Sequence, residues 1–141
     1  MREATVQDME AIRLLLEAEE LPTQDLSTSH PVFIVHYDGS LLVAAGALQR
    51  CGDVALLRSV AVTATHRGRG FGRAIVSELE RTAAQSRITA LILLTLTARH
   101  FFEQRGYRVI DRNEVPPAIR ASAEFQSLCP ATATCMSKAI A

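Results

Sequence analysis

Hydrophobic positions along this chain alternate between two spacings, and the changes of spacing mark its elements. Thr5-Val6-Gln7-Asp8 reads as a capping box, with Thr5 as N-cap and Asp8 in the place of the usual Glu. The helix after it sets Met9, Ile12, Leu15 and Leu16 on one face, and Pro22 is expected to stop it. Leu21 to Pro31 carries no period and reads as a loop or a short second helix. Val32 to Tyr37 is a strand, Asp38-Gly39 a hairpin turn, and Leu41 to Leu48 the returning strand. Cys51-Gly52-Asp53 turns the chain into a third strand, Val54–Val62, completing an antiparallel meander.

The spacing then becomes helical. Phe71, Ile75, Leu79 and Ala83 form the apolar face of a helix whose pattern runs from Ala74 to Gln85. Ala90 to Leu96 is apolar on both faces, as in a central strand covered by helices. Ala98 to Arg105 gives a short helix ended by Gly106, and Tyr107 to Ile110 the next strand. Asn113 to Ser122 contains Pro116-Pro117, so it begins irregular and is expected to finish as a helical turn through Phe125. Ala131 to Met136 alternates as a last strand. The pattern predicts an α/β mixed sheet: an antiparallel N-terminal meander, then a central strand, with helices on both faces.

Candidate chemistry concentrates in Arg67-Gly68-Arg69-Gly70-Phe71-Gly72-Arg73, set between a strand and a helix. Glycines at every second position allow backbone conformations that a Cβ disfavours and leave amide N–H groups uncovered. A helix starting there adds its own unpaired N–H groups, which together suit a phosphate or pyrophosphate. Two familiar loops are excluded. A Walker A loop ends in Gly-Lys-Ser/Thr, whereas Gly72 is followed by Arg73-Ala74. A dinucleotide fingerprint would have its third glycine one residue later, and its acidic ribose partner would fall near the apolar strand Ala90–Leu96.

Composition narrows the picture little. At 141 residues the chain suits one domain, residues 1–141, and its 15 basic and 15 acidic side chains cancel. That balance leaves no overall field to recruit nucleic acid or an anionic membrane. The longest apolar run is too short to span a bilayer, and the start of the chain lacks a signal-peptide core. Three cysteines without scaffold spacing suggest a reducing compartment, so the cytoplasm is the default.

What remains of the loop is R-x-x-G-x-G, read as Arg67, Gly70 and Gly72. In its strand-to-helix setting it resembles the acyl-CoA-binding motif of the GNAT superfamily of N-acetyltransferases. The segment Ala98 to Tyr107 is similar to the family's second motif, A-x-x-x-Y-x-x-x-G-F. The element order matches nearly the whole chain if Met1–Ala4 counts as a first strand, and the resemblance then implies a GNAT fold whose fourth strand, Val54–Val62, pairs parallel with the fifth, Ala90–Leu96. The opening Arg2-Glu3-Ala4…Asp8…Ile12…Leu15-Leu16, the stretch Ala55–Val62 and the ending Pro116-Pro117-Ala118-Ile119-Arg120…Ser127-Leu128-Cys129-Pro130 resemble a small GNAT subfamily associated with arsenic-resistance gene clusters. A related resemblance is to amino-acid N-acetyltransferase domains of arginine biosynthesis.

The resemblance implies acetyl transfer from acetyl-CoA to a small amine, with no metal, and it allows a homodimer. Backbone at Val60, Ala61 and Val62 would pair with the pantetheine arm, and the Val62 N–H would polarise the thioester carbonyl. Arg67, Gly68, Arg69, Gly70, Gly72 and Arg73 would form the pyrophosphate loop. Phe101 and Phe102 would wall the pantetheine and acetyl group. Two departures stand out. The family's acid tyrosine falls at Phe102, and the place of its usual base glutamate is about Leu56. A CoA thiol with a pKa of about 8.5 can leave as thiolate without a dedicated acid. For the base, the candidates are Glu19, Glu20, His36, His66, His100 and Glu124, with His100 first because histidine titrates near neutrality.

Two further features carry open readings. Arg58 in an apolar strand needs an anionic partner. Either it holds an acceptor carboxylate, with neighbouring Ser59, or it pairs with Asp53, Glu124 or another internal acid. Strand parity sets Arg58 on the face of Val60 and Val62, with Ser59 opposite. Cys51, Cys129 and Cys135 could offer thiolates to a thiophilic metalloid, but free cysteines usually serve as small buried hydrophobes, the reading preferred here.

Overall fold

The computed structural model describes residues 1–140, without the side chain of Ser127. Its strands are β1 (Arg2–Glu3), β2 (Val32–Asp38), β3 (Leu41–Cys51), β4 (Val54–Val62), β5 (Ala90–Thr95), β6 (Arg108–Val109) and β7 (Thr134–Ala139). Its helices are α1 (Met9–Ala18), α2 (Leu26–Ser29), α3 (Phe71–Gln85), α4 (Arg99–Glu103) and α5 (Pro117–Arg120), joined by short 3₁₀ turns and one π-helical turn, Glu124–Leu128. The strands form a mixed sheet in the order β1-β2-β3-β4-β5-β7-β6, with β4 and β5 parallel. The chain divides into two compact units: Met1–Gln49 with Leu57–Thr82, and Arg50–Leu56 with the chain from Ala83 on.

In the first unit, β1 pairs antiparallel with β2 and β2 with β3, Ile34 lying opposite Gly46. Alternation along β3 sends Ala45 and Ala47 to one face and Gly46 to the other. On the first face Ile12, Leu15 and Leu16 of α1 and Leu26 of α2 pack against Phe33, Val35, Leu42 and Ala61. Each fully buried aliphatic side chain here contributes about 1.5–3 kcal/mol of transfer free energy. On the second face a Cβ added at Gly46 would stand 2.6 Å from Ile75 and 2.8 Å from Leu79, both of α3. The missing side chain lets α3 lie close against the sheet.

The Asp8 carboxylate completes its half of the expected capping box by accepting the Thr5 N–H at 2.7 Å. It also receives a bidentate grip from Arg2 at 2.7 and 2.9 Å and the Tyr37 hydroxyl at 2.8 Å. These partners hold its pKa well below the usual carboxylate range. The helix that follows ends at Ala18, not at Pro22. Glu20 takes a left-handed conformation (φ 58°), and Leu21 N–H closes on the Leu16 carbonyl at 2.9 Å.

In the second unit, Val54, Ala55 and Leu56 run parallel to Ala90, Leu91 and Ile92. β7 pairs antiparallel with both β5 and β6. Leu56, Ile92, Ile110, Val115, Ile119, Phe125 and Cys135 form its buried cluster. Two expectations shift here. The last strand starts three residues later than Ala131, because Ala133 N–H turns back to the Pro130 carbonyl at 3.0 Å. The helix expected over Ala98–Arg105 is regular only over Arg99–Glu103. Gly106 (φ 89°) reverses the chain and Tyr107 N–H caps the Phe102 carbonyl at 3.1 Å.

Candidate functional site

The chain leaves β4 through Thr63 into a 3₁₀ turn, Ala64–His66, and then into the glycine loop. Gly68 (φ 77°) and Gly70 (φ 84°) sit in the left-handed region where a Cβ is strained. Around Gly70 space is not the constraint, since an added Cβ would meet only the Arg73 guanidinium, at 3.6 Å. Gly72 differs from the expectation: helix α3 already begins at Phe71, so Gly72 and Arg73 occupy its first turn. Residues Arg67, Gly68, Arg69 and Gly70 are all exposed. Exposed loop amides running into the N-terminus of a 15-residue helix make a cradle for phosphate oxygens.

The loop is tied down at its near end. The Arg67 guanidinium pairs with the Glu19 carboxylate just beyond α1. The His66 ring is engaged at both nitrogens, Nε2 with Asp38 Oδ2 at 3.0 Å and Nδ1 with the Thr65 hydroxyl at 2.9 Å. Phe71 takes the His66 ring tilted across it at 5.9 Å, and His36 stacked on it at 5.2 Å. Glu19, His36 and His66, all candidate bases, are thus engaged with loop residues, while Glu20 is exposed at the end of α1.

Upstream, β4 carries Arg58 and Ser59, and both are buried. The Arg58 guanidinium grips Asp25 through two bonds of 2.6 and 2.8 Å and donates a third to Gln49 at 2.9 Å. The pair is nearly sealed from solvent, with side-chain exposures of 0% and 6%. Arg58 and the Ser29 hydroxyl lower the Asp25 pKa. Of the two readings of Arg58, the internal ion pair describes this geometry, though its acid is neither Asp53 nor Glu124. The expected opposition of Arg58 and Ser59 does not hold. Ser59 has a positive φ of 59°, which breaks strand alternation, and its hydroxyl accepts from Arg58 Nε at 3.3 Å. Ala61 accordingly faces the α1 core, whereas Val60 lies beside Gly46 on the α3 face.

The second unit carries α4. Phe102 is buried and meets Tyr107 edge-on at 5.3 Å; Phe101 is half-buried, perpendicular to Phe102 and covered by the Arg105 guanidinium at 4.0 Å. His100 is exposed on the same helix. Glu124 is buried and accepts from the Cys129 thiol at 3.4 Å. Burial pushes Cys135 up to about 11 and also raises Cys51, so both are held as thiols. Among the described residues no group of three or more His, Cys, Asp or Glu could hold a metal. No described helix is long and apolar enough to cross a membrane.

Sequence reasoning missed three partners: Asp25 for Arg58, Asp38 for His66, and Glu19 for Arg67. Asp25 lies in the segment without a period, and Asp38 reads as a turn former. Only the need of a buried arginine for an acid signalled any of them.

A family model of the acetyltransferase (GNAT) domain matches residues 28–109. The chain is 33% identical over 97 residues to the N-acetyltransferase YjcF of Bacillus subtilis, covering 68% of this chain and 67% of that protein. Among solved structures, Rv2747 of Mycobacterium tuberculosis, crystallised with CoA, superposes with a TM-score of 0.80 at 25% identity over 96% of both chains. The N-acetylglutamate synthase of Neisseria gonorrhoeae, with CoA and N-acetyl-glutamate, gives a TM-score of 0.84 at 18% identity. That match covers 99% of this chain but 34% of the synthase, so the chain spans about a third of that enzyme's length.

Proposed function

The chain belongs to the GNAT acetyltransferase family, and from that membership we propose that it moves an acetyl group from acetyl-CoA to the amine of a small, amino-acid-like acceptor. We read residues 1–141 as one such domain. The observation that carries the proposal is the glycine loop, with two positive-φ glycines and exposed amides at the start of α3. In this reading Arg67, Gly68, Arg69, Gly70, Gly72 and Arg73 hold the pyrophosphate, with the helix dipole behind them. The backbone of Val60, Ala61 and Val62 receives the pantetheine arm, and the Val62 N–H stabilises the developing oxyanion. Phe101 and Phe102 line the thioester.

The neutral amine attacks the thioester carbonyl, a C–N bond forms as the nitrogen gives up one proton to the base, and the C–S bond breaks. CoA leaves as a thiolate that takes its proton from water. Phe102 has no proton to give, which fits departure without a protein acid. His100 remains our first candidate for the base, supported by its exposed imidazole on α4. Arg58 is committed to its buried pair with Asp25, the N-cap of α2, and Ser59 accepts from its Nε–H, so neither is given a direct contact with the acceptor.

The amino-acid-like acceptor is supported by the N-acetyl-glutamate and CoA bound to the gonococcal synthase. A role in arsenic resistance is the finer reading, supported by the motif likeness at both ends of the chain.

The test is thiol release from acetyl-CoA against amino acids, organoarsenical amino acids and polyamines, with CoA titration beside it. Turnover with an amino-acid-like amine is expected. CoA binding without release against any amine would favour a non-catalytic acyl-CoA module. Gly70→Glu is expected to abolish CoA binding, because the carboxylate repels the pyrophosphate and strains a positive-φ site. Unchanged affinity would remove the loop from the site.

A further inference from the structure

We propose that His66 is a positioning residue for the glycine loop, latching it to the β2–β3 turn through Asp38 and holding it ready for the CoA pyrophosphate. The inference rests on the acyl-CoA reading of that loop. Its ground is the geometry on either side of the two positive-φ glycines. Gly68 and Gly70 are conformationally permissive, so a loop containing both loses much backbone entropy when an anion orders it. Two anchors bracket them. On the near side the His66 ring contacts Asp38 Oδ2 at 3.0 Å and the Thr65 hydroxyl at 2.9 Å. On the far side Phe71, the first residue of α3, packs against both His66 and His36.

The network is self-consistent for a neutral ring. Nε2–H donates to the Asp38 carboxylate, which leaves Nδ1 as acceptor for the Thr65 hydroxyl. Both ring nitrogens are then engaged and the His66 side chain is only 11% exposed, so it is poorly placed to collect an acceptor proton. The same ring spans from the start of the loop to the start of the helix behind it. That is where a contact reduces the ordering left for a ligand to do. The Asp38 side chain, by contrast, is 69% exposed, and a hydrogen bond to so open a carboxylate contributes little to global stability. A latch of this kind therefore shows in CoA affinity more than in melting temperature.

Calorimetric titration of the full chain with CoA, with a melting curve for each variant, decides the matter. His66→Ala and Asp38→Ala are each expected to weaken CoA about fivefold, the net value of one hydrogen bond, while the melting temperature stays near wild type. His66→Gln, whose amide nitrogen reaches the place of Nε2, is expected to recover most of the affinity. Equal affinity for His66→Ala and wild type would overturn the latch and leave the acyl-CoA reading intact. A fall in affinity and melting temperature together, not recovered by glutamine, would also overturn it. A wild-type chain that bound no CoA would overturn both.

Discussion

Burial turns an arginine into a demand for an acid, and Asp25 meets that demand for Arg58. Removing one partner of a buried ion pair costs more than the pair contributes, because the remaining charge stays desolvated. Asp25→Ala is therefore expected to lower unfolding free energy by about 3 kcal/mol in denaturant titration. The pH dependence follows the same pair. The folded-state pKa of Asp25 is lowered, so its contribution is complete above the unfolded value of about 3.9 and is lost as pH falls through the folded one. Asp25→Asn should flatten the loss of stability below about pH 4, and an unchanged acid limb would show that other carboxylates govern it. The need for an anion beside Arg58 was legible in the apolar run Leu56 to Val62. The acid's identity was not, because it stands 33 residues away in a segment without periodicity. Ser59 misled for another reason: parity assumes an unbroken pleat, and a positive φ inside a strand leaves no mark in composition.

At the level of elements, α3 and β3 meet across a glycine. A Cβ at Gly46 would overlap Ile75 and Leu79, both with no exposed surface, so neither can swing away to solvent. Gly46→Ala is expected to destabilise by about 1–3 kcal/mol, the usual range for overpacking, measured as a lowered denaturation midpoint at constant slope. A neutral result would mean that α3 is free to slide outward. The type of the longer strands and helices was legible because their apolar periods are clean, whereas α2 lies in a segment without one. Boundaries were less so, since caps decide them. Glu20 ends α1 by taking a left-handed conformation that Pro22, downstream, had seemed to account for. The start of α3 at Phe71 shows the reverse, with Gly72 recruited into a first turn that its low helix propensity disfavours.

For the molecule as a whole, the expected mixed sheet with parallel β4–β5 and the GNAT family both hold. Ligand linkage supplies the matching test, since whatever binds only the folded chain stabilises all of it. CoA at a hundred times its dissociation constant is expected to add about 2.7 kcal/mol, seen as a melting temperature raised by several degrees. No shift at that concentration would contradict a preformed site. Strand order in the second unit was the part of the topology that chain order concealed. Nothing in local pattern says that β7 inserts between β5 and β6, because that choice is made by pairings between segments distant in sequence.

That insertion has a consequence in time. A ribosome makes β6 before β7, at about 5–20 residues per second. Arg108 and Val109 are therefore made before the strand they pair with. Until Thr134–Ala139 is in place, the edge of β5 that it occupies is open to any other extended chain. Pairing of β7 with β5 thus closes the sheet, and slowing it would lengthen the interval in which incompletely folded chains can pair with one another instead.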